Sequence, residues 1–137
     1  MKRVLFLCTH NSARSQMAEG MLRAWAGDRY QAFSAGSEAT EVRPLAIRAM
    51  ADLGIDISGQ RSKTVRSFAG QDFDYAVTVC DDSKESCPVF PGAKRQLHWS
   101  FDDPSAADGT DDERLAVFRR VRDQIAERIT AEFVASD

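Results

Sequence analysis

The sequence predicts an α/β fold, a three-layer sandwich in which a four-stranded parallel sheet carries helices on both faces. Short apolar runs alternate with longer amphipathic segments along the chain, a pattern typical of strands joined by helices. The first run, Val4–Leu7, is apolar at every position, as expected for a strand buried on both faces. The length of 137 residues fits one domain, which we expect to span residues 1–137.

The first half of the chain continues with a helix, a strand and a second helix. Apolar residues at helical spacing predict a helix over Ser15–Trp25. Tyr30–Ser34 is predicted as the second strand. The second helix is predicted over Pro44–Leu53, since proline suits a first helical turn and Gly54 supplies a stop.

The second half contains two further strands and a long closing helix. We predict a short helix over Val65–Phe68, strands over Tyr75–Val79 and Gln96–Phe101, and a helix with one apolar stripe from Leu115 to Phe133. In parallel sheets of this kind, ligands bind at the carboxyl ends of the strands. This rule points to the loop after the first strand.

Composition narrows the classes of partner. The formal net charge of −3 provides no broad positive surface, so we expect neither nucleic acid nor a membrane as a partner. The opening apolar run is too short for a signal-peptide core or a membrane span, and we expect a cytoplasmic protein. In that compartment, three cysteines are more often catalytic, redox-active or metal-binding than structural.

The loop after the first strand has the form Cys-x5-Arg-Ser, with Cys8, Arg14 and Ser15 at its defined positions. Such a loop can wrap its backbone N–H groups around a tetrahedral oxyanion, next to the positive field of a helix N-terminus. Arg14 adds a planar pair of donors. The same field favours the attacking thiolate of Cys8, and Ser15 can donate a hydrogen bond to its sulfur. The expected anion-binding residues are Thr9, His10, Asn11, Ser12, Ala13 and Arg14.

A simpler interpretation makes Cys8 a small buried residue at a strand end. The spacing alone is a weak pattern that arises by chance. Its position directly between a buried strand and a helix is specific, so we favour the nucleophile. His10 is interpreted as a loop-shaping residue and His98 as a structural residue on a strand.

Several segments along nearly the whole chain together resemble one family. They are Val4–Glu19, Ser34–Gly36, Val77–Asp81, Cys87-Pro88, His98-Trp99, Phe101–Pro104 and Phe118–Asp123. The chain is similar to the thioredoxin-coupled arsenate reductases of the low-molecular-weight protein tyrosine phosphatase superfamily. The resemblance implies a phosphatase-like fold, arsenate as substrate and thioredoxin as electron donor, without a tightly bound cofactor. We expect no metal and a monomer.

Three features favour the reductases over the phosphatases within this superfamily. The phosphatase loop usually carries glycine where this chain has His10. The phosphatases place aromatic residues after their Asp-Pro pair, whereas Pro104 is followed here by Ser105-Ala106. The strongest feature is the cysteine pair Cys80 and Cys87.

The resemblance implies that Asp103 is the general acid. Expelling an oxygen from a tetrahedral oxyanion is easier when a carboxylic acid donates a proton to it, and Pro104 restricts the backbone of Asp103. Asp102 has similar chemistry. The alternative is that this segment is only a solvated turn.

The resemblance also implies a relay of disulfides. Cys8 attacks arsenate, Cys80 then attacks the Cys8 sulfur and releases arsenite, and Cys87 resolves the Cys8–Cys80 disulfide to give Cys80–Cys87. We expect Cys80 at the end of the third strand, near Cys8. Residues 81–86 are small or polar, so we expect this segment to rearrange at low cost.

Other interpretations of the two later cysteines remain open. Cys80 can be a buried strand-end residue and Cys87 incidental. Zinc binding is disfavoured, because a Cys-x6-Cys pair lacks the usual short ligand spacing and the two histidines do not complete a familiar zinc pattern.

Members of the family can hold a monovalent cation beside the loop, at positions matching Asn11, Glu19 and Ser34. This chain has Lys63 where an acidic residue assists in those members. We expect the Lys63 ammonium to replace the cation by pairing with Glu19. The alternative is a solvated surface charge.

Two rival functions use part of the same residues. A phosphatase acting on tyrosine phosphate or small phosphoesters needs Cys8, Arg14 and Asp103 but has no need of Cys80 or Cys87. A redox sensor or oxyanion-binding module needs no general acid.

Overall fold

The computed structural model describes residues 1–81 and 87–135, whose strands form a parallel four-stranded sheet. The strands are β1 (Lys2–Cys8), β2 (Tyr30–Gly36), β3 (Phe73–Thr78) and β4 (Ala93–His98). They lie in the order β2-β1-β3-β4, and each neighbouring pair is parallel. The predicted α/β class with a four-stranded parallel sheet is confirmed. Because β1 is central, its carboxyl end is flanked by the ends of β2 and β3.

The two faces of the sheet bury different side chains. The α-helices are α1 (Arg14–Ala26), α2 (Pro44–Ala51) and α3 (Asp111–Ile129). All of them pack in one core with Val4 and Phe6 of β1, while Leu5 and Leu7 enter a core on the other face, as the alternation of a strand requires. That second face is covered by a 3₁₀ helix at Val65–Phe68 and by Phe90, with ring contacts of Phe73 to Phe68 and Phe90 at 5.7 and 5.3 Å.

The predicted bounds of the fourth strand are wrong. The strand covers Ala93–His98 instead of Gln96–Phe101. As an edge strand it exposes polar residues such as Lys94 and Arg95, which give no apolar signal. The buried rings of Trp99 and Phe101, which attract a prediction based on hydrophobicity, lie beyond its end.

Other boundaries shift by a few residues. The third strand ends at Thr78, so Cys80 lies two residues beyond it. Helix α2 ends at Ala51, and Gly54 follows with a positive φ of 73°. Helix α3 begins before the predicted Leu115, because Thr110 and Glu113 form a reciprocal capping box at its start.

The closing helical segment continues beyond α3 as a π-helix over Thr130–Val134. Phe133 from this turn packs edge-on against Phe6 and Tyr75, with ring centroids 6.3 and 5.3 Å apart. Among residues 1–81 and 87–135, no helix combines the length and apolar character that a membrane span requires.

Candidate active site

The loop between β1 and α1 lies at the carboxyl edge of the sheet. Cys8 is the last residue of β1, pairs in register with Gly36 of β2, and is 2% exposed. Asn11 adopts a positive φ of 49°, a conformation that asparagine tolerates better than most residues. The first turn of α1 carries no acidic residue, so the positive field of the helix N-terminus is not offset there.

A chain of hydrogen bonds positions the Ser15 hydroxyl beside the Cys8 sulfur. The Lys63 backbone N–H donates to Asn11 Oδ1 at 2.8 Å, which leaves the Asn11 amide nitrogen as a donor to Ser15 Oγ, also at 2.8 Å. Ser15 Oγ lies 2.8 Å from Cys8 Sγ. Ser15 accepts from Asn11, and its hydroxyl can donate its own proton to the sulfur when Cys8 is a thiolate. The arrangement places a hydrogen-bond donor within reach of a thiolate at Cys8.

Arg14 and Asp103 face each other across the loop. Arg14 is 3% exposed and donates to the Phe101 carbonyl oxygen at 3.1 Å. Its other terminal nitrogen lies 3.8 Å from Asp103 Oδ2. The second carboxylate oxygen, Oδ1, accepts from the Ser105 backbone N–H at 2.9 Å. One oxygen of Asp103 is thus anchored to the backbone, and the other is directed toward the guanidinium that is expected to hold the anion.

A cavity of about 780 Å³ opens over this loop. Thr9 and His10 line it from the loop, and Asp103, Ala106 and Val117 line it from the opposite side. The small side chains after Pro104 leave this space open. The candidate acid and the loop that carries Cys8 therefore border the same solvent-accessible space.

Cys80 and Cys87 form a disulfide, whereas Cys8 is a free thiol. The Val79 N–H donates to the Leu7 carbonyl oxygen at 2.8 Å, so Cys80 and Cys8 each follow a residue of this hydrogen-bonded pair. Cys80 is fully buried and Cys87 is half-buried. The structure thus brings a free cysteine in an anion loop and an oxidised cysteine pair to the same edge of the sheet.

Comparison with known proteins assigns the family. The sequence model of the low molecular weight phosphotyrosine protein phosphatase family matches residues 3–135. The chain belongs to this family. Among curated relatives of this phosphatase-family chain, an arsenate reductase from Halalkalibacterium halodurans is 51% identical over 128 residues, covering 93% of this chain and 92% of the relative.

Solved structures agree with this assignment. An arsenate reductase in its oxidised state superposes with a TM-score of 0.81 at 34% identity, covering 98% of each chain. A thioredoxin-dependent arsenate reductase from Corynebacterium glutamicum superposes with a TM-score of 0.66 at 27% identity, covering 99% of this chain and 64% of the other. The resemblance predicted from sequence, to arsenate reductases within the phosphatase family, is confirmed.

The residues expected to form a cation site do come together in this family member. Ser34 Oγ donates to Glu19 Oε1 at 2.6 Å, and Lys63 Nζ lies 3.8 Å from the same oxygen. Asn11 joins the group through the Lys63 backbone. Burial lowers the pKa of the Lys63 ammonium, and the Glu19 carboxylate opposes that shift.

Sequence reasoning missed the main partner of Glu19. Arg23 donates to Glu19 Oε2 at 2.6 Å, closer than Lys63. The signal was present, since Glu19 and Arg23 are spaced i, i+4 on a predicted helix. Sequence reasoning also did not assign Asn11 its role in orienting Ser15.

The structure describes every residue predicted for the site, but only part of the segment between Cys80 and Cys87. Residues 82–86 lie outside the described residues. His10 accepts hydrogen bonds at its backbone carbonyl from Thr40 and Ser62, and His98 bonds to Thr78 across β3 and β4. Within the described ranges, no group of three or more His, Cys, Asp or Glu residues is arranged to hold a metal ion.

Proposed function

We propose that this protein reduces arsenate to arsenite with electrons from its own cysteines. The observation that carries the proposal is the Cys80–Cys87 disulfide beside a free Cys8 in the oxyanion loop. A phosphatase needs only the loop. Relatives named arsenate reductase, with 51% identity in one case, support the same substrate.

The first step is nucleophilic attack by the Cys8 thiolate on arsenate. A sulfur–arsenic bond forms, and one arsenate hydroxyl leaves as water after Asp103 donates a proton to it. Arg14 and the N–H groups of the loop, residues 9–14, hold the remaining oxygens. The hydrogen bond from Ser15 supports this step, because it favours the thiolate over the thiol.

The second step transfers two electrons. The Cys80 thiolate attacks the Cys8 sulfur, a Cys8–Cys80 disulfide forms, and the sulfur–arsenic bond breaks with its electron pair left on arsenic. Arsenate is thereby reduced to arsenite while two thiols are oxidised. The adjacency of Val79 and Leu7 supports this pairing.

The third step frees the nucleophile. The Cys87 thiolate attacks Cys80, the Cys80–Cys87 disulfide forms, and Cys8 leaves as a thiolate. The disulfide and the free Cys8 of the structure match the cysteine state at the end of this sequence.

Thioredoxin is the proposed electron donor, and no tightly bound cofactor is needed. The thioredoxin-dependent relative supports this donor. Because Cys80 is fully buried and Cys87 is half-buried, Cys87 is the sulfur that an external thiolate reaches. We place the reaction in the cytoplasm, where thioredoxin keeps thiols reduced, and in a monomer of one domain.

We further propose that Arg23 and Lys63 together replace a monovalent cation beside the loop. Both approach the buried Glu19 carboxylate. Their positive charges neutralise it without a bound ion.

The test is arsenate-dependent NADPH oxidation with thioredoxin and thioredoxin reductase. Cys8→Ser, Cys80→Ser and Cys87→Ser should each abolish turnover. If the wild type supports no arsenate-dependent NADPH oxidation but cleaves phosphoesters, and only Cys8→Ser abolishes that cleavage, the protein is instead a phosphatase.

A further inference from the structure

Gly36 lies against the backbone of the oxyanion loop. It ends β2, is buried, and pairs in register with Cys8. A Cβ built at Gly36 would lie 2.8 Å from Asn11 N, 2.8 Å from Thr9 O and 2.9 Å from Cys8 O. All three atoms belong to the main chain, so no flexible side chain can move aside. Any larger residue at position 36 must displace the loop itself.

Gly36 also ties the loop to the segment that supports it. Its N–H donates to the Lys63 carbonyl oxygen at 2.9 Å, and it forms a bridge with Thr64. The Lys63 N–H in turn donates to Asn11 Oδ1 at 2.8 Å. Gly36 therefore leaves no room for a side chain beside the Asn11 backbone and is linked to the Asn11 side chain through Lys63.

The contact reaches the nucleophile in two short steps. Asn11 donates to Ser15 Oγ, and Ser15 Oγ lies beside Cys8 Sγ, each at 2.8 Å. A displacement of the loop at Asn11 changes the distances and angles of both hydrogen bonds, on which their strength depends. The Asn11 side-chain amide and the Ser15 hydroxyl both depend on the path of the loop that passes close to Gly36.

We propose that Gly36 is a positioning residue for the oxyanion loop, and that its missing side chain allows the loop the curvature needed for anion binding and for activation of Cys8. The inference rests on the proposed function of that loop. It assigns a role to a residue of β2 that contacts neither the anion nor the disulfide in the proposed reaction. The distances at which an added Cβ would meet Cys8, Thr9 and Asn11 carry it.

The test compares Gly36→Ala with Gly59→Ala as the matched control. A Cβ at Gly59 meets no atom within 4 Å. Phosphate serves as a non-reducible analogue of arsenate in a calorimetric titration. We expect Gly36→Ala to raise the phosphate Kd about tenfold or more, as for the loss of one charge-assisted hydrogen bond. Gly59→Ala should change it less than about twofold, as is usual for an exposed position.

The pH dependence of Cys8 alkylation reports on the environment of the thiol, which a loss of stability alone would not change. The protein is first oxidised, so that the Cys80–Cys87 disulfide leaves Cys8 as the free thiol. The ratio of the iodoacetamide rates at mildly acidic and alkaline pH should fall in Gly36→Ala and stay unchanged in Gly59→Ala. Equal Kd values and equal rate ratios in the two variants would overturn the inference.

A measurement on the wild type keeps the inference testable even if Gly36→Ala does not fold. Phosphate should shift the amide NMR signals of Gly36 and Asn11 while leaving that of Gly59 in place. An unmoved Gly36 signal at phosphate saturation would overturn the inference. If the wild type binds no phosphate at all, the proposed function of the loop fails instead.

Discussion

The Ser15 hydroxyl lies 2.8 Å from the Cys8 sulfur, accepts a hydrogen bond from the Asn11 side-chain amide, and can donate its own proton to a Cys8 thiolate. A hydrogen bond to a charged group contributes about 1.5–3 kcal/mol. Ser15→Ala should therefore slow alkylation of Cys8 at neutral pH by roughly 10-fold to 100-fold. Ser67→Ala, an exposed substitution, should have no effect. Equal alkylation rates in the two variants would show that Ser15 does not activate the thiol.

Asp103→Asn should separate chemistry from binding. Loss of a general acid slows the assisted step by about 100-fold or more, so the single-turnover rate of arsenite release should fall by that factor. Phosphate affinity should stay equal or improve, since a carboxylate 3.8 Å from Arg14 is removed. Asp102→Asn is the control, because its side chain is 63% exposed. An unchanged single-turnover rate would remove Asp103 from the mechanism.

The two basic partners of Glu19, Arg23 and Lys63, predict that stability and activity do not depend on potassium. Arg23 and Lys63 already supply positive charge at 2.6 and 3.8 Å from the carboxylate. Exchanging sodium for potassium chloride at constant ionic strength should leave Tm and arsenate turnover of the wild type unchanged. A rise in either quantity with potassium, absent with sodium, would contradict the replacement. Lys63→Gln should gain a potassium dependence that the charge-matched control Lys94→Gln, at a side chain 79% exposed, lacks.

Asp52 links α2 to α3 and predicts a pH-dependent stability. A hydrogen bond from Arg119, with further attraction from Arg122, lowers the pKa of Asp52 below its usual 3.8. A depressed carboxyl pKa stabilises the folded state above the unfolded value, and this stabilisation is lost as pH falls through the folded value. Asp52→Asn should therefore lower Tm at neutral pH.

The Tm deficit of Asp52→Asn should shrink as the pH is taken below 3.8. Asp28→Asn, at an exposed carboxylate, is the control in thermal melts across that range. A deficit that is independent of pH would mean that the Asn side chain disturbs packing and that the charge of Asp52 contributes nothing.

The fold could be predicted from sequence wherever a buried element shows a clear pattern of apolar residues. The apolar run Val4–Leu7 and the stripe of α3 specified their elements because both are buried along their length. The edge strand Ala93–His98 could not be placed correctly, since most of its side chains are exposed and polar while its hydrogen bonds to β3 hold it in the sheet.

The candidate site was predictable to the extent that local sequence encodes it. Cys8, Arg14 and Ser15 share one loop, so their spacing predicts their proximity. Asp103 and the cysteine pair were found through the family resemblance. The approach of Gly36 to the loop joins separate segments at backbone atoms, and no residue pattern indicates a contact of that kind.

Trapping the intermediate disulfide tests the relay most directly. Reduced Cys87→Ser protein is mixed with arsenate without thioredoxin, and arsenite and disulfide-linked peptides are quantified by mass spectrometry. One arsenite per chain together with a Cys8–Cys80 disulfide is expected, because Cys80 can attack but nothing can resolve the product. Arsenite release without a bond between residues 8 and 80, or no arsenite despite a reactive Cys8, would contradict the proposed transfer of electrons.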